Sequence, residues 1–560
     1  MEGLQKLIIE AVEDGVIKGA TVGKDSVQVS HLLYADDVVF VTEWSTEAIP
    51  NISNVLEKFY NLSGLKLNVH KSTVFGVGVE TEVVKDIAAQ AGCSLGSLPF
   101  SYLGIPIGAN MSRVCSWEPV IQKFSSRLST WKAKCLSIGG RLTLVKAVLG
   151  SLPTYYMSLF VTPQSVLKKL ESLRSGFFWG GDKGENVMTW VKWNDVLSSH
   201  EKGGLDIGSL SAFNLALLQK WRWRFVTSGD CAWVRIIRSI HGMDGGFGRT
   251  RKKSAMVGIW SKIVDLSLRL NEDAIIPLNT MERRIGNGAS VKFWEEVWVG
   301  RQPLKLLFNR LFRLEMVPAC SVRDKWQDQR WVWSWRRDVR GGREQAQFND
   351  LMELLAGVSL SQNQDKFWWN LDNKGEFSVR CTRRHIDTIR MVGRSESTRW
   401  CNALPRRVNI FLWRCVLDRL PTRFNLSKRG MDLSSIICPN CNAGGESLAH
   451  LMFNCVLAQE LWWVVARWCG VGWPSSVSVK EWLSWVDAQR VEAAKRLRLE
   501  VIVITTFWVI WRYRNSVVFD GVKIRKNSLF DLIVLNSYSW LKNRDSNSGV
   551  VWNSWLLCPL

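Results

Sequence analysis

Apolar positions recur along this chain with two periods. One spacing is that of helices, the other that of half-buried strands. Leu4, Leu7, Ile8 and Val12 fall on one helical face, and Gly15 ends that segment, which predicts a helix over 1–14. Residues 16–22 and 27–33 read as strands joined by Gly23-Lys24-Asp25-Ser26. Val29, His31 and Leu33 alternate, and the apolar run 38–41 follows after Asp36 and Asp37, so two strands flank an acidic pair at a hairpin tip. A helix follows over 45–62, with Ser45 placed to cap it and Gly64 just past its end. Short strands are expected at 73–77 and, with a turn, at 100–108. Helices are expected at 117–135, 139–152 and 163–175, punctuated by Pro153 and Pro163. Leu215, Leu218, Trp221 and Phe225 repeat at helical spacing. Ile285-Gly286-Asn287-Gly288 and the stretch from Trp369 to Val379 read as strand–turn modules. Beyond Gly470 the pattern is helical and aromatic to the end.

Composition narrows the class of partner. The 560 residues are 46% hydrophobic and 22% charged, which is globular composition for several domains. Lys plus Arg number 73 against 51 acids, a net charge of +22, which favours polyanions. Between Ile121 and Arg174 there are nine Lys or Arg and one acid, Glu171. Lys123, Arg127, Lys132, Lys134 and Arg141 in that block, with Arg406 and Arg407 further on, are the candidate phosphate contacts. The competing reading is a solvated basic face. Trp221, Trp223, Trp233 and Trp260 interleave with Arg222, Arg224, Arg235 and Arg238. Bases could stack there, but the helical spacing favours core packing. The longest apolar run, 501–511, is too short to span a bilayer. No secretory signal opens the chain, so an intracellular setting (nucleus or cytoplasm) without a membrane is expected.

Two sites carry chemistry. The 13 cysteines are odd in number and dispersed, unlike a disulfide framework. Four positions stand out: Cys438, Cys441, His450 and Cys455, spaced C-x2-C-x8-H-x4-C. Three thiolates and one imidazole fill a tetrahedral zinc shell with no position left for water, so the metal is expected to be structural. His450 and Cys455 are expected on or near a short helix from about Leu448. At the hairpin, Asp36 and Asp37 can leave the sheet together and meet a divalent cation. Palm-type polymerases hold magnesium with such a pair, although acidic pairs also occur in ordinary turns.

The order of three segments makes the reading more specific. Tyr34-Ala35-Asp36-Asp37, then residues 63–72 (SGLKLNVHKS), then 101–108 (SYLGIPIG) resemble the later part of the reverse transcriptase domain of plant LINE-type, non-long-terminal-repeat retrotransposons. The resemblance implies that Asp36 and Asp37 are the palm metal pair. It makes Lys71 a charge partner or acid for the leaving pyrophosphate, and puts Tyr102-Leu103-Gly104 beside the primer end. Pro405, Val408, Phe411, Trp413, Arg419, Leu420, Pro421, Thr422, Asn425, Leu426, Arg429 and Gly430, followed by the four ligands, resemble the zinc-binding domain of the same proteins over about 377–463. The expected fold is therefore α+β. It comprises a partial palm at 1–110, a helical thumb at 111–180, a Trp/Arg-rich connector at 181–376, the zinc-binding domain at 377–465 and a helical segment at 466–560.

The resemblance also implies what accompanies the pair. Two ions bridged by carboxylates from two strands drive nucleotide addition, and the family's earlier Asp strand and Gln-Gly segment would lie before residue 1. A fragment of an RNA-directed DNA polymerase, inactive alone, is thus expected, with structural zinc, an incomplete magnesium site, and RNA and DNA as partners. The alternative is a non-catalytic, zinc-dependent nucleic-acid-binding protein.

Overall fold

The computed structural model describes residues 2–130, 133–181, 187–248, 258–300, 302–519, 523–545 and 549–560. Lys132, one of the expected phosphate contacts, lies outside them. The architecture is α+β: helices dominate, and the strands of the described residues form two-stranded sheets. The chain divides into two compact units. One comprises 1–117, 155–163 and 211–386, and the other 118–154, 164–210 and 387–560.

In the first unit the amphipathic helix Glu2–Glu13 ends at Gly15, whose φ of +74° suits glycine. It packs on the helix Ala48–Ser63 through Leu4, Ile8, Ala11, Ile17 and Val55. That second helix starts later than its sequence suggests. Glu47, not Ser45, occupies the cap, with no side-chain cap bond. Pro50 falls in the first turn, where its missing N–H costs nothing. Gly64, at φ +74°, closes the other end. Strands Ala20–Val22 and Val27–Val29 pair antiparallel. Their turn fixes Gly23: a Cβ there would lie 2.2 Å from Ser239 Oγ, which also accepts from the Asp25 N–H at 2.8 Å. A parallel pair, Thr73–Val74 with Ser94–Leu95, flanks the helix Thr81–Gln90. The hairpin Phe100–Tyr102/Ile105–Ile107 turns through Leu103 (φ +48°) and Gly104 (φ +77°).

Much of the Trp/Arg-rich stretch packs in the core, with Arg224 and Arg235 left exposed. The helix Leu210–Thr227 buries Leu215, Leu218 and Phe225, and Trp221 meets Trp233 edge-on, with centroids 5.6 Å apart. Arg222 is buried as well and donates to the Leu278 carbonyl at 2.5 Å. Strand Met281–Arg284 pairs with Lys366–Trp369. Asp365 ties the Gly286–Gly288 loop by accepting both glycine N–H groups at 2.8 Å.

In the second unit the expected helices appear with shifted bounds. They are Glu118–Thr130, then Ile138–Leu144 continuing as a π-turn Val145–Leu149, then Gln164–Trp179. Ser137 caps the middle one, accepting from Gly140 N at 3.2 Å. One hydrophobic core runs from Cys401 to Trp555. Its centre is the helix Ala493–Val518, where Val501, Ile502, Val503, Ile504, Phe507 and Ile510 are all buried. The apolar run at 501–511 is therefore a helix packed on several sides. No helix among the described residues is long and apolar enough to cross a membrane.

Candidate metal centre

The knuckle at 438–445 is built by backbone. Ile437 and Gly445 form an antiparallel bridge, Cys438 N–H donates to the Gly444 carbonyl at 2.8 Å, and Asn442 N–H to the Cys438 carbonyl at 2.9 Å. Asn442 (φ +54°) and Gly444 (φ +107°) take left-handed conformations that favour these residue types. A Cβ on Gly444 would sit 3.3 Å from His450 Cε1, so glycine also leaves room for the imidazole. The other two donors come from a helical turn beginning at Leu448 and tightening into the π-turn His450–Asn454, as the spacing suggests. Ser447 Oγ accepts from the His450 N–H at 3.1 Å and fixes where that turn begins. Cys455 then caps the helix Val456–Cys469.

The four donor atoms lie within 4.8 Å of one another. Cys438 and Cys455 sulfurs are 4.0 Å apart, and Cys441 Sγ lies 3.2 Å from His450 Nε2. A tetrahedral zinc with bonds near 2.3 Å to sulfur and 2.0 Å to nitrogen sets donor separations of about 3.5–3.8 Å. The observed pairs bracket that value, and the donor set fits zinc. Backbone N–H groups face the two buried sulfurs. Cys438 receives the N–H groups of Asn440 and Cys441, and Cys455 those of Leu457 and Ala458 at a helix N-terminus. Both sulfurs are fully buried. The hydrogen bond from Cys438 to Cys455 pushes the first thiol's pKa up, with burial adding to it, and draws the second below the usual thiol value.

The site is held from outside the motif. Glu446, in the knuckle, is fully buried and takes both oxygens to the buried Arg514 guanidinium, with Nη2–Oε2 at 2.9 Å. It also accepts the Arg423 N–H at 2.9 Å. Arg514 sits on Ala493–Val518, 68 residues away. The motif spacing did not point to either residue. The signals available were an acid inside a cysteine knuckle and an arginine inside an apolar run.

The other expected site residues are placed as follows. His31–Tyr34 and Asp37–Phe40 pair antiparallel with Tyr34 opposite Asp37, so Asp36 occupies the two-residue turn with Ala35 (φ +51°). Both carboxylates are exposed. Among the described residues, no third carboxylate, histidine or thiol joins them as a ligand group. Lys71 ends the 3-10 turn Val69–Lys71 and is exposed. Tyr102 is half-buried, and the Leu103 carbonyl accepts from Tyr155 Oη at 2.8 Å. Lys123 and Arg127 lie on Glu118–Thr130, and Lys134 on the short turn Ala133–Cys135. Arg141, Arg406 and Arg407 come together: Arg406 donates to Thr143 Oγ1 at 2.6 Å, and a Cβ on Gly139 would lie 2.9 Å from Arg407 N. Gly139 therefore lets the helices Ile138–Leu144 and Arg406–Val416 touch backbone to backbone.

Comparison with known proteins agrees with this geometry. Residues 377–462 match the family described as zinc-binding in reverse transcriptase, a span that contains all four ligand positions. A protein of Arabidopsis thaliana named "Putative ribonuclease H protein" is 28% identical over 425 residues, 73% of this chain. This chain spans 66% of that protein's length. An uncharacterized mitochondrial protein of Arabidopsis thaliana is 28% identical over 155 residues, 27% of this chain and 93% of its own length. Residues 377–462 are thus similar to the zinc-binding segment of reverse transcriptases, and the Cys3His cluster within them is suited to zinc.

Proposed function

We propose that the chain is the later part of the reverse transcriptase of a LINE-type plant retrotransposon. Its zinc domain holds a structural ion on Cys438, Cys441, His450 and Cys455, and its basic surface binds RNA and DNA. The observation that carries this reading is the Cys3His cluster inside a segment matching reverse transcriptase zinc-binding domains. With four protein donors, zinc supplies folding energy and no reacting water. The carboxylates Asp36 and Asp37 stand at the tip of an exposed hairpin, as a palm metal pair would. Bridging two magnesium ions needs a carboxylate from another strand, and Lys71 would act only once a triphosphate is bound there.

This polypeptide alone is therefore expected to show no polymerase activity. Primer extension on an RNA template with Mg2+ or Mn2+ tests it, and robust synthesis lost in Asp36→Asn would overturn it. A second reading, a non-catalytic nucleic-acid-binding protein that depends on zinc, draws on the same cluster and the net charge of +22. It predicts binding that weakens steeply with salt and is lost in Cys441→Ser. The 13 cysteines, none of the described ones bonded to another, fit a reducing intracellular compartment such as nucleus or cytoplasm.

A further inference from the structure

Two arginines from separate parts of the second unit meet two indoles, and a third lies against the glycine beside them. Arg414, on the helix Arg406–Val416, lies 5.8 Å from the Trp179 ring and 5.4 Å from the Trp190 ring. Arg429 lies 4.6 Å from Trp190. Arg141 lies against Gly180, where a Cβ would come within 2.0 Å of its Nη1. Gly180, at φ +92°, is thus required both by its backbone and by the guanidinium beside it.

The described partners that hold these charges are carbonyls and indole faces. Arg414 donates Nε and Nη2 to the Arg419 carbonyl at 3.1 and 2.9 Å. Arg429 donates to the carbonyls of Thr189 and Trp190 at 2.7 and 3.1 Å. Among the described residues, no carboxylate lies within 4.0 Å of Arg141, Arg414 or Arg429. Asp418, four positions after Arg414, is engaged by Asn425 Nδ2 at 3.0 Å. Arg141 Nε and Trp179 Nε1 are buried donors without a partner among the described residues. Burial, and then the mutual repulsion of the cations, lowers the proton affinity of Arg414 to about 10. Burial also lowers it for Arg141 and Arg429. Indole faces and carbonyls offset part of the cost of drawing the half-buried Arg141 and Arg414 out of water, and a counter-charge would offset more.

We propose that Arg141, Arg414 and Arg429, framed by Trp179, Gly180 and Trp190, form a pocket for one backbone phosphate of a bound nucleic acid. A phosphate supplies an anion that none of the described residues provides there, and takes forked guanidinium bonds. The contact is to backbone, so it fixes register and reads no base. This rests on the reading that the chain binds nucleic acid.

The test uses the zinc-loaded full chain and a fluorescein-labelled single-stranded RNA, with anisotropy measured across a series of KCl concentrations. Arg141→Gln and the exposed Arg429→Gln are each expected to weaken binding about tenfold and flatten the salt slope by about 0.7 per lost phosphate contact. Lys542→Gln, at a lysine that lies over the Tyr538 ring and makes none of the pocket contacts, is expected to stay within about twofold. In parallel, inorganic phosphate is expected to raise the melting temperature of the wild type more than that of Arg429→Gln. Zinc content and far-UV circular dichroism report that each variant is folded. If the wild type binds RNA with a steep salt slope and both arginine variants bind like Lys542→Gln, the pocket assignment falls while the nucleic-acid reading stands. If phosphate stabilises the wild type through Arg429 yet no RNA binds, the pocket serves free phosphate, and the nucleic-acid assignment is overturned.

Discussion

The two sites that carry chemistry in this chain are built in opposite ways. Asp36 and Asp37 sit at the end of a hairpin whose strands pair only with each other, apart from a few flanking backbone bonds. Leu32 and Tyr34 on that hairpin are 51% and 62% exposed. The small core beneath it buries only Leu4, Ile8, Ala11, Ile17 and Val55 among the described residues. Cys438 and Cys455 are instead fully buried at the edge of a core reaching from Cys401 to Trp555. Backbone N–H groups meet their sulfurs, and a buried ion pair lies beside them. A two-stranded ribbon is marginal by itself, whereas the cysteine knuckle is anchored to a large core through Cys438, Glu446 and Cys455, all fully buried. The acidic pair needs partners to become a site. The thiolate cluster needs only its ion.

The largest effect expected from this contrast is on zinc removal. Structural zinc contributes about 10–16 kcal/mol of apparent binding energy in small zinc modules, so chelation or Cys438→Ser should loosen the 401–555 core. Limited proteolysis with mass spectrometry should then show new cuts there, and the cleavage pattern of the first hundred or so residues should stay the same. Equal loss of both regions would break the comparison. Acidification should release the ion as well, because protons compete for each of its ligands.

Next in size is Glu446→Ala, which leaves Arg514 buried without its carboxylate. A loss of about 3–5 kcal/mol is expected, read as a drop in the denaturation midpoint. Adding Arg514→Met should recover a substantial part of it. If the single variant melts like the wild type, the clamp does not hold the knuckle.

Gly444→Ala should cost about 1–3 kcal/mol, because its φ of +107° is strained for any side chain and the new Cβ presses on His450. A weaker zinc affinity by competition with a chelating dye would sharpen the point. The smallest effect is expected for Asp36→Asn. The residue is exposed in a turn, so stability should change by less than about 0.5 kcal/mol. A larger loss by thermal melt would show that the hairpin tip has structural partners.

Much of this was legible along the chain. The hairpin, its acidic tip and the four ligand positions all depend on neighbours within a few residues, and glycine or alternation marks them directly. The helix start at Ala48 was misplaced because Ser45 looked like a cap, while Pro50 two residues into the helix marked the true first turn. The middle helix extends as a π-turn through Leu149, a detail that periodicity does not resolve. The tryptophan–arginine stretch kept two readings open in sequence, and packing chose one: Trp221 and Arg222 serve the core.

The sequence by itself determined the local chemistry: a carboxylate pair at a turn, a complete soft-ligand shell at metal spacing, and a basic surplus fit for polyanions. Only the tertiary structure decided what surrounds them. Glu446 and Arg514 are 68 positions apart, and Arg141, Trp190 and Arg429 come from three separate stretches of the second unit. No local period records such pairings. They exist because burying a charge demands a counter-charge, a π face or a carbonyl, and folding alone determines which distant residue supplies it.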